Sequence, residues 1–96
     1  TSIYAASKGA LNSLAMTLAK ELAPKVRVNC ISPGTVNTPM TQSFLETESG
    51  ETHLKDYPLG VGQCEDITSL ACFLLSDSAR WITGQNIIID GGRSTL

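Results

Sequence analysis

Residues 86–92 read NIIIDGG. Three isoleucines in a row, with no polar alternation, predict a short strand covered on both faces, as in a parallel sheet flanked by helices. Gly91 and Gly92 close it. Upstream, residues 65–75 open with Glu65 and Asp66 and carry Ile67, Leu70, Ala71, Leu74 and Leu75 on one stripe, which predicts a helix stopping at 76–78. Further back, residues 26–32 (VRVNCIS) form a β-branched run cut off by Pro33-Gly34, a second strand followed by a sharp turn. Strand, helix, strand in this order is one βαβ unit, expected to cross over right-handed, so the fold class is α/β.

Two segments complete the reading. Residues 2–22 place Leu11, Leu14, Ala15, Leu18 and Leu22 at helical spacing, with Ala5, Ala6, Ala10 and Met16 on other sides, so this helix is expected to be buried on more than one face. Thr1 or Ser2 suits its cap, and Pro24 ends it near Ala23. Residues 35–62 lose periodicity and collect Thr, Ser, Glu, Gly and Pro, with one helical piece expected at 40–47. Loops of that length in compact domains commonly serve as lids or binding loops. Two strands leave both sheet edges open, so the topology reads as part of a larger sheet.

Composition narrows the function classes. The chain has 96 residues, 42% hydrophobic and 17% charged, with a net charge of −2. These values fit a globular domain and give no basic surface for nucleic acid. Cys30, Cys64 and Cys72 form no CxxC pair and lie near no histidine cluster, which argues against a disulfide framework or a metal site and favours a reducing cytoplasm. No run reaches the ~20 apolar residues of a membrane helix, and no signal pattern opens the chain.

Tyr4 and Lys8 are the chemically suggestive pair. Four residues apart on a helix, they share one face about 6 Å apart along the axis. A free phenol, with a pKa of ~10, is a poor proton carrier at neutral pH. An ammonium ~4 Å from a phenolate favours ionisation by ~4 kcal/mol at an effective dielectric of ~20 but by only ~1 kcal/mol in water, so such a pair works in an enclosed cleft. Spacing alone fits equally a packed aromatic beside a snorkelling lysine.

The string YAASKGALNSLAMTLAKELAPKVRVNCISPGTVNTPM, from Tyr4 on, resembles the catalytic helix and following strand of the classical short-chain dehydrogenases/reductases. PLG at 58–60, EDI at 65–67, FLLSD at 73–77, ITGQ at 82–85 and DGG at 90–92 continue the likeness in order, with 3-oxoacyl carrier-protein reductases and related ketoreductases or sugar dehydrogenases as the nearest in kind. The resemblance implies that residues 1–96 are the C-terminal portion of one Rossmann-like doubly wound domain, with 39–57 as substrate lid and the dinucleotide-binding half lacking. It implies NAD or NADP as cofactor, a small carbonyl or secondary alcohol as substrate, and a homo-oligomer. Tyr4 would be the general acid and base, and Lys8 would ease its ionisation and grip the nicotinamide ribose. Pro33 and Gly34 would turn the chain beneath the nicotinamide, Gly34 permitting close approach, while the Val36 backbone and Thr38 hold its carboxamide. Asn29 and Ser32 would bond structurally.

Glu46, Glu48 and Glu51 are expected to face water, His53 to be a solvated loop side chain, and Met40, Phe44, Leu45 and Leu54 to offer apolar contact. Cys64 and Val61 depart from the common Pro and Arg of the family. Gly60-Val61-Gly62 lacks the spacing and the preceding strand of a dinucleotide fingerprint. The competing expectation is a catalytically silent fragment or a degenerate relative that acts as an association or dimerisation module.

Overall fold

A computed structural model describes residues 1–95. The elements are α1 (Ser2–Leu22), β1 (Cys30–Pro33), α2 (Pro39–Leu45), α3 (Glu48–Leu54), α4 (Cys64–Leu75) and β2 (Asn86–Ile89), with 3-10 turns at Asp77–Ala79 and Arg93–Thr95. β1 and β2 form a two-stranded sheet. The amides of Cys30 and Gly34 donate to the carbonyls of Gln85 and Ile89, an equal step along both strands that marks them as parallel. The α/β class with a parallel sheet is as the sequence predicts. By its contacts the chain divides into two compact units, residues 1–31 with 73–87 and residues 32–72 with those from 88 onward.

In the first unit, α1 buries only small side chains, Ala15 and Ala19. Gly84 sits against this stripe, where an added Cβ would stand 3.5 Å from the Ala19 Cβ. Leu11, Leu14, Met16 and Leu22 are exposed, which corrects the expectation of a helix buried on several sides. Thr1 stands at the N-cap without a side-chain bond; its carbonyl accepts from the Ala5 amide.

The first strand begins at Cys30, four residues later than the β-branched run suggests. The reason is in the hydrogen bonds of residues 27–29, most of which have a side chain as one partner, although the Val28 carbonyl accepts from the Gly84 amide (2.7 Å). The Val28 amide donates to Thr83 Oγ1 (3.0 Å), Asn29 Nδ2 to the Ile82 carbonyl (3.0 Å), and the Gln85 amide to Asn29 Oδ1 (3.0 Å). Arg27 spreads its guanidinium over the carbonyls of Leu74 (2.7 Å), Ser76 (3.2 Å) and Ile82 (3.4 Å), terminating α4 from outside. Asn29 is thus structural, as the resemblance implies.

In the second unit, residues 35–62 are more ordered than their composition suggests. Thr38 caps α2 through a reciprocal box with Thr41, and Pro39 occupies the first turn, where it sacrifices no helical bond. Thr47 caps α3 by accepting from the Gly50 amide (3.0 Å). Gly50 is buried, and a Cβ there would collide with the Phe44 carbonyl. Two seven-residue helices therefore replace the single piece expected at 40–47, because short polar helices are set by caps rather than by an apolar stripe.

α4 matches its prediction within one residue, with Asp66 Oδ2 accepting from the Gln63 amide (2.7 Å) at its start. In β2 the cover expected on both faces is incomplete within this chain. Ile87 and Ile89 are half-buried, whereas Ile88 is 56% exposed.

Candidate active site

In the first unit, Tyr4 and Lys8 occupy the first two turns of α1, both exposed, with Tyr4 at 65%. The helix does what its spacing predicts: Lys8 Nζ lies 5.5 Å from the centroid of the Tyr4 ring, within cation–π range. Ser7 Oγ donates to the Tyr4 carbonyl (2.7 Å), so this neighbouring hydroxyl is spent on the helix backbone.

In the second unit, Pro33 ends β1 and is exposed, while Gly34, Val36 and Thr38 are half-buried along the strand's continuation. Val36 pairs with Gly62 in an isolated parallel bridge, through Gly62 N–H to the Thr35 carbonyl (3.0 Å) and Asn37 N–H to the Gly62 carbonyl (2.8 Å). In that pattern the Val36 amide and carbonyl point away from Gly62. The carbonyl takes the Thr41 hydroxyl (2.6 Å), and the amide likewise faces away from Gly62. Thr38 Oγ1 is engaged as the α2 cap, accepting from the Thr41 amide (3.3 Å) and lying 3.1 Å from Thr41 Oγ1.

Gly34 has a reason to be glycine besides the expected one. Its φ is not positive. A Cβ there would stand 2.8 Å from Tyr57 Cε2 and 2.9 Å from Asp90 Cα, so the residue is small because its own neighbours fill the space. Tyr57 is buried, and its hydroxyl accepts from the Thr35 amide (3.1 Å) and lies 3.0 Å from Thr35 Oγ1.

His53 corrects the reading of a solvated loop side chain. It is half-buried, with Nε2 2.8 Å from Thr35 Oγ1 and its ring 5.3 Å from that of Tyr57 and 5.7 Å from that of Phe44. The available signal was the same four-residue spacing that singled out Tyr4 and Lys8, here between His53 and Tyr57. Glu46, Glu48 and Glu51 are exposed as expected. Of the residues expected to offer apolar contact, Met40 and Phe44 are exposed and Leu45 and Leu54 half-buried.

Beside Val36 lies a cavity of about 340 Å³, also lined by Leu59, Gly62, Ile67, Ile89 and Asp90. Partial desolvation pushes the Asp90 carboxyl upward. Hydrogen bonds from the Ser94 amide (2.9 Å), the Ser94 hydroxyl and the Gly92 amide (3.1 Å) outweigh it, and the group titrates below its ordinary 3.8. Among the described residues no cluster of His, Cys, Asp or Glu could hold a metal ion, and no helix is long and apolar enough to cross a membrane.

The order of these elements recurs in known proteins. A family model described as Enoyl-(Acyl carrier protein) reductase matches residues 1–94. The chain is 45% identical over 91 residues to a 3-oxoacyl-[acyl-carrier-protein] reductase of Chlamydia trachomatis, covering 93% of this chain and 36% of the relative. It is 48% identical over 94 residues to a tropinone reductase homolog of Arabidopsis thaliana, covering 95% and 35%. It superposes on a 4-hydroxyisoleucine dehydrogenase complexed with NADH at a TM-score of 0.89 and 38% identity, covering 97% of this chain and 40% of that one. The chain thus spans little more than a third of the curated relatives' length. With nearly every residue inside the family match and the parallel α/β arrangement shared with solved members, the chain belongs to the short-chain dehydrogenase/reductase family of oxidoreductases.

Proposed function

We propose that this chain supplies the proton-transfer and nicotinamide-facing part of an NAD- or NADP-dependent oxidoreductase acting on a small ketone or secondary alcohol. Residues 1–96 are then the C-terminal portion of one Rossmann-like domain, and residues 39–57, with α2 and α3, are its substrate lid. The observation that carries the reading is the Tyr4–Lys8 pair, ring and ammonium 5.5 Å apart on one helix face.

The nicotinamide cofactor, when bound, supplies or accepts the hydride at the carbonyl carbon. Tyr4 Oη gives its proton to the carbonyl oxygen in reduction and takes it back from the alcohol in oxidation, so that one hydride and one proton convert ketone to alcohol. Lys8 stabilises the phenolate left behind and presents donors to the ribose hydroxyls. Pro33 and Gly34 shape the turn, and the Val36 amide with Thr38 holds the carboxamide.

An ammonium acts strongly on a phenol only at low dielectric, and Tyr4 is 65% exposed in the chain by itself. The 96-residue chain alone is therefore inactive, and the chemistry belongs to the protein in which that face is covered. The three free thiols suit a reducing cytoplasm.

In the complete protein carrying this sequence, Tyr4→Phe removes the transferable proton and leaves the ring. Turnover of a ketone with NADH or NADPH should fall by about two to four orders of magnitude. Unchanged turnover would sink the assignment.

A second reading is favoured by one observation. Ile3, Leu11, Leu14, Met16 and Leu22 of α1 are all exposed, an apolar surface suited to a homo-oligomer contact and to a silent association module.

A further inference from the structure

Thr35, immediately before Val36, is held at three points by two side chains of the proposed lid. Its amide donates to Tyr57 Oη (3.1 Å), and its Oγ1 lies 3.0 Å from the same oxygen and 2.8 Å from His53 Nε2. The Tyr57 ring closes on Gly34 tightly enough to exclude a Cβ there. The His53 ring is packed edge-on to Phe44 of α2 and tilted on Tyr57, so one imidazole links both lid helices to this hydroxyl. Arg93 lies over the Tyr57 ring, its guanidinium carbon 5.7 Å from the centroid.

This arrangement is more than local packing, because each bond ends on the residue next to the Val36 amide, which faces away from Gly62. Thr35 also gives its carbonyl to Gly62, which leaves the Thr35–Val36 peptide little freedom to rotate. A backbone donor that must meet a ligand amide at hydrogen-bond distance depends on such fixing, since small displacements forfeit most of the bond.

We infer that His53 and Tyr57 are positioning residues for cofactor binding, orienting the Val36 amide through Thr35 and coupling that orientation to the lid helices. The inference rests on the reading that Val36 and Thr38 hold the nicotinamide end. Their effect passes through one threonine.

The test measures NADH and NADPH affinity by fluorescence, the KM–kcat split and the melting temperature, all in the complete protein. Tyr57→Phe keeps the ring against Gly34 and deletes both hydroxyl contacts. His53→Ala deletes the imidazole, and His53→Gln offers an amide nitrogen to the same hydroxyl. Tyr57→Phe and His53→Ala should each raise the cofactor Kd and KM about three- to tenfold with kcat little changed. His53→Gln should recover most of the affinity, and the double variant should lose less than the product of the two, because both act on Thr35.

Variants that melt earlier but bind cofactor as tightly as the parent would overturn the inference and leave the proposed function standing. A parent protein that binds neither NADH nor NADPH would overturn both. Should His53→Ala fail to fold, Tyr57→Phe and His53→Gln decide the matter.

Discussion

Gly34 shows how one residue type can be right for a reason the sequence does not display. In a Pro-Gly turn the obvious use of glycine is conformational freedom or close approach of a ligand, yet its φ lies outside the left-handed region and the crowding comes from Tyr57 and Asp90. Gly34→Ala should therefore destabilise the fold through overpacking, by about 1–3 kcal/mol, read as a lower urea midpoint. An unchanged midpoint would mean that Tyr57 gives way freely. Asp90, on the other flank, carries the pH dependence. Its hydrogen bonds from Ser94 and Gly92 hold the carboxyl below 3.8, so the unfolded chain binds more protons as the pH falls past its ordinary value. The stabilisation is complete above about pH 4 and is lost as the pH drops through the lowered native value. Asp90→Asn should flatten that acid limb of the stability profile, measured by denaturant midpoint against pH, and leave the dependence at neutral pH alone.

At the scale of elements, caps and carbonyl clasps decide what periodicity leaves open. α4 was legible because Ile67, Leu70, Leu74 and the acidic first turn repeat a helical signal over three turns. α2 and α3 were only half legible, since Thr38 and Thr47 fold them through bonds to Thr41 and Gly50 rather than through an apolar stripe. β1 started late because Val28 and Asn29 bond to side chains of residues 82–85 or use their own. Arg27 is the strongest device of this kind, with three carbonyls in its reach and a part-buried guanidinium. Arg27→Met keeps much of the stem and strips the donors. It should cost about 1–3 kcal/mol by leaving carbonyls of α4 and the following turn without partners. A melting temperature equal to the parent's would show that water replaces the guanidinium.

For the molecule as a whole, the few buried apolar side chains among the described residues are Ala15, Ala19, Tyr57, Leu74 and Ala79. Against them stand Leu11, Leu14 and Met16 on α1, Leu75 and Trp81 after it, and Ile88 in the sheet, all more than half exposed. Apolar surface on this scale drives association. The 96-residue chain produced alone should sediment as species heavier than its 10.2 kDa, increasingly so with concentration, and Leu14→Glu should shift it toward the monomer. A stable monomer with a single cooperative unfolding transition would contradict this.

The amino-acid sequence by itself determined the α/β class, α1, α4, the parallel pairing implied by strand–helix–strand order, and the placing of Tyr4 and Lys8 on one face. Each of these follows from local periodicity, from spacing along a single element or from the order of elements. Only the tertiary structure decided that Gly34 is confined by Tyr57 and Asp90, that His53 is half-buried rather than solvated, and that Thr35 is the point where both meet. Those contacts join residues 18 to 56 positions apart, through hydroxyl and imidazole groups whose partners no local pattern announces. Their energies depend on distances of a few tenths of an ångström, which only the folded chain supplies.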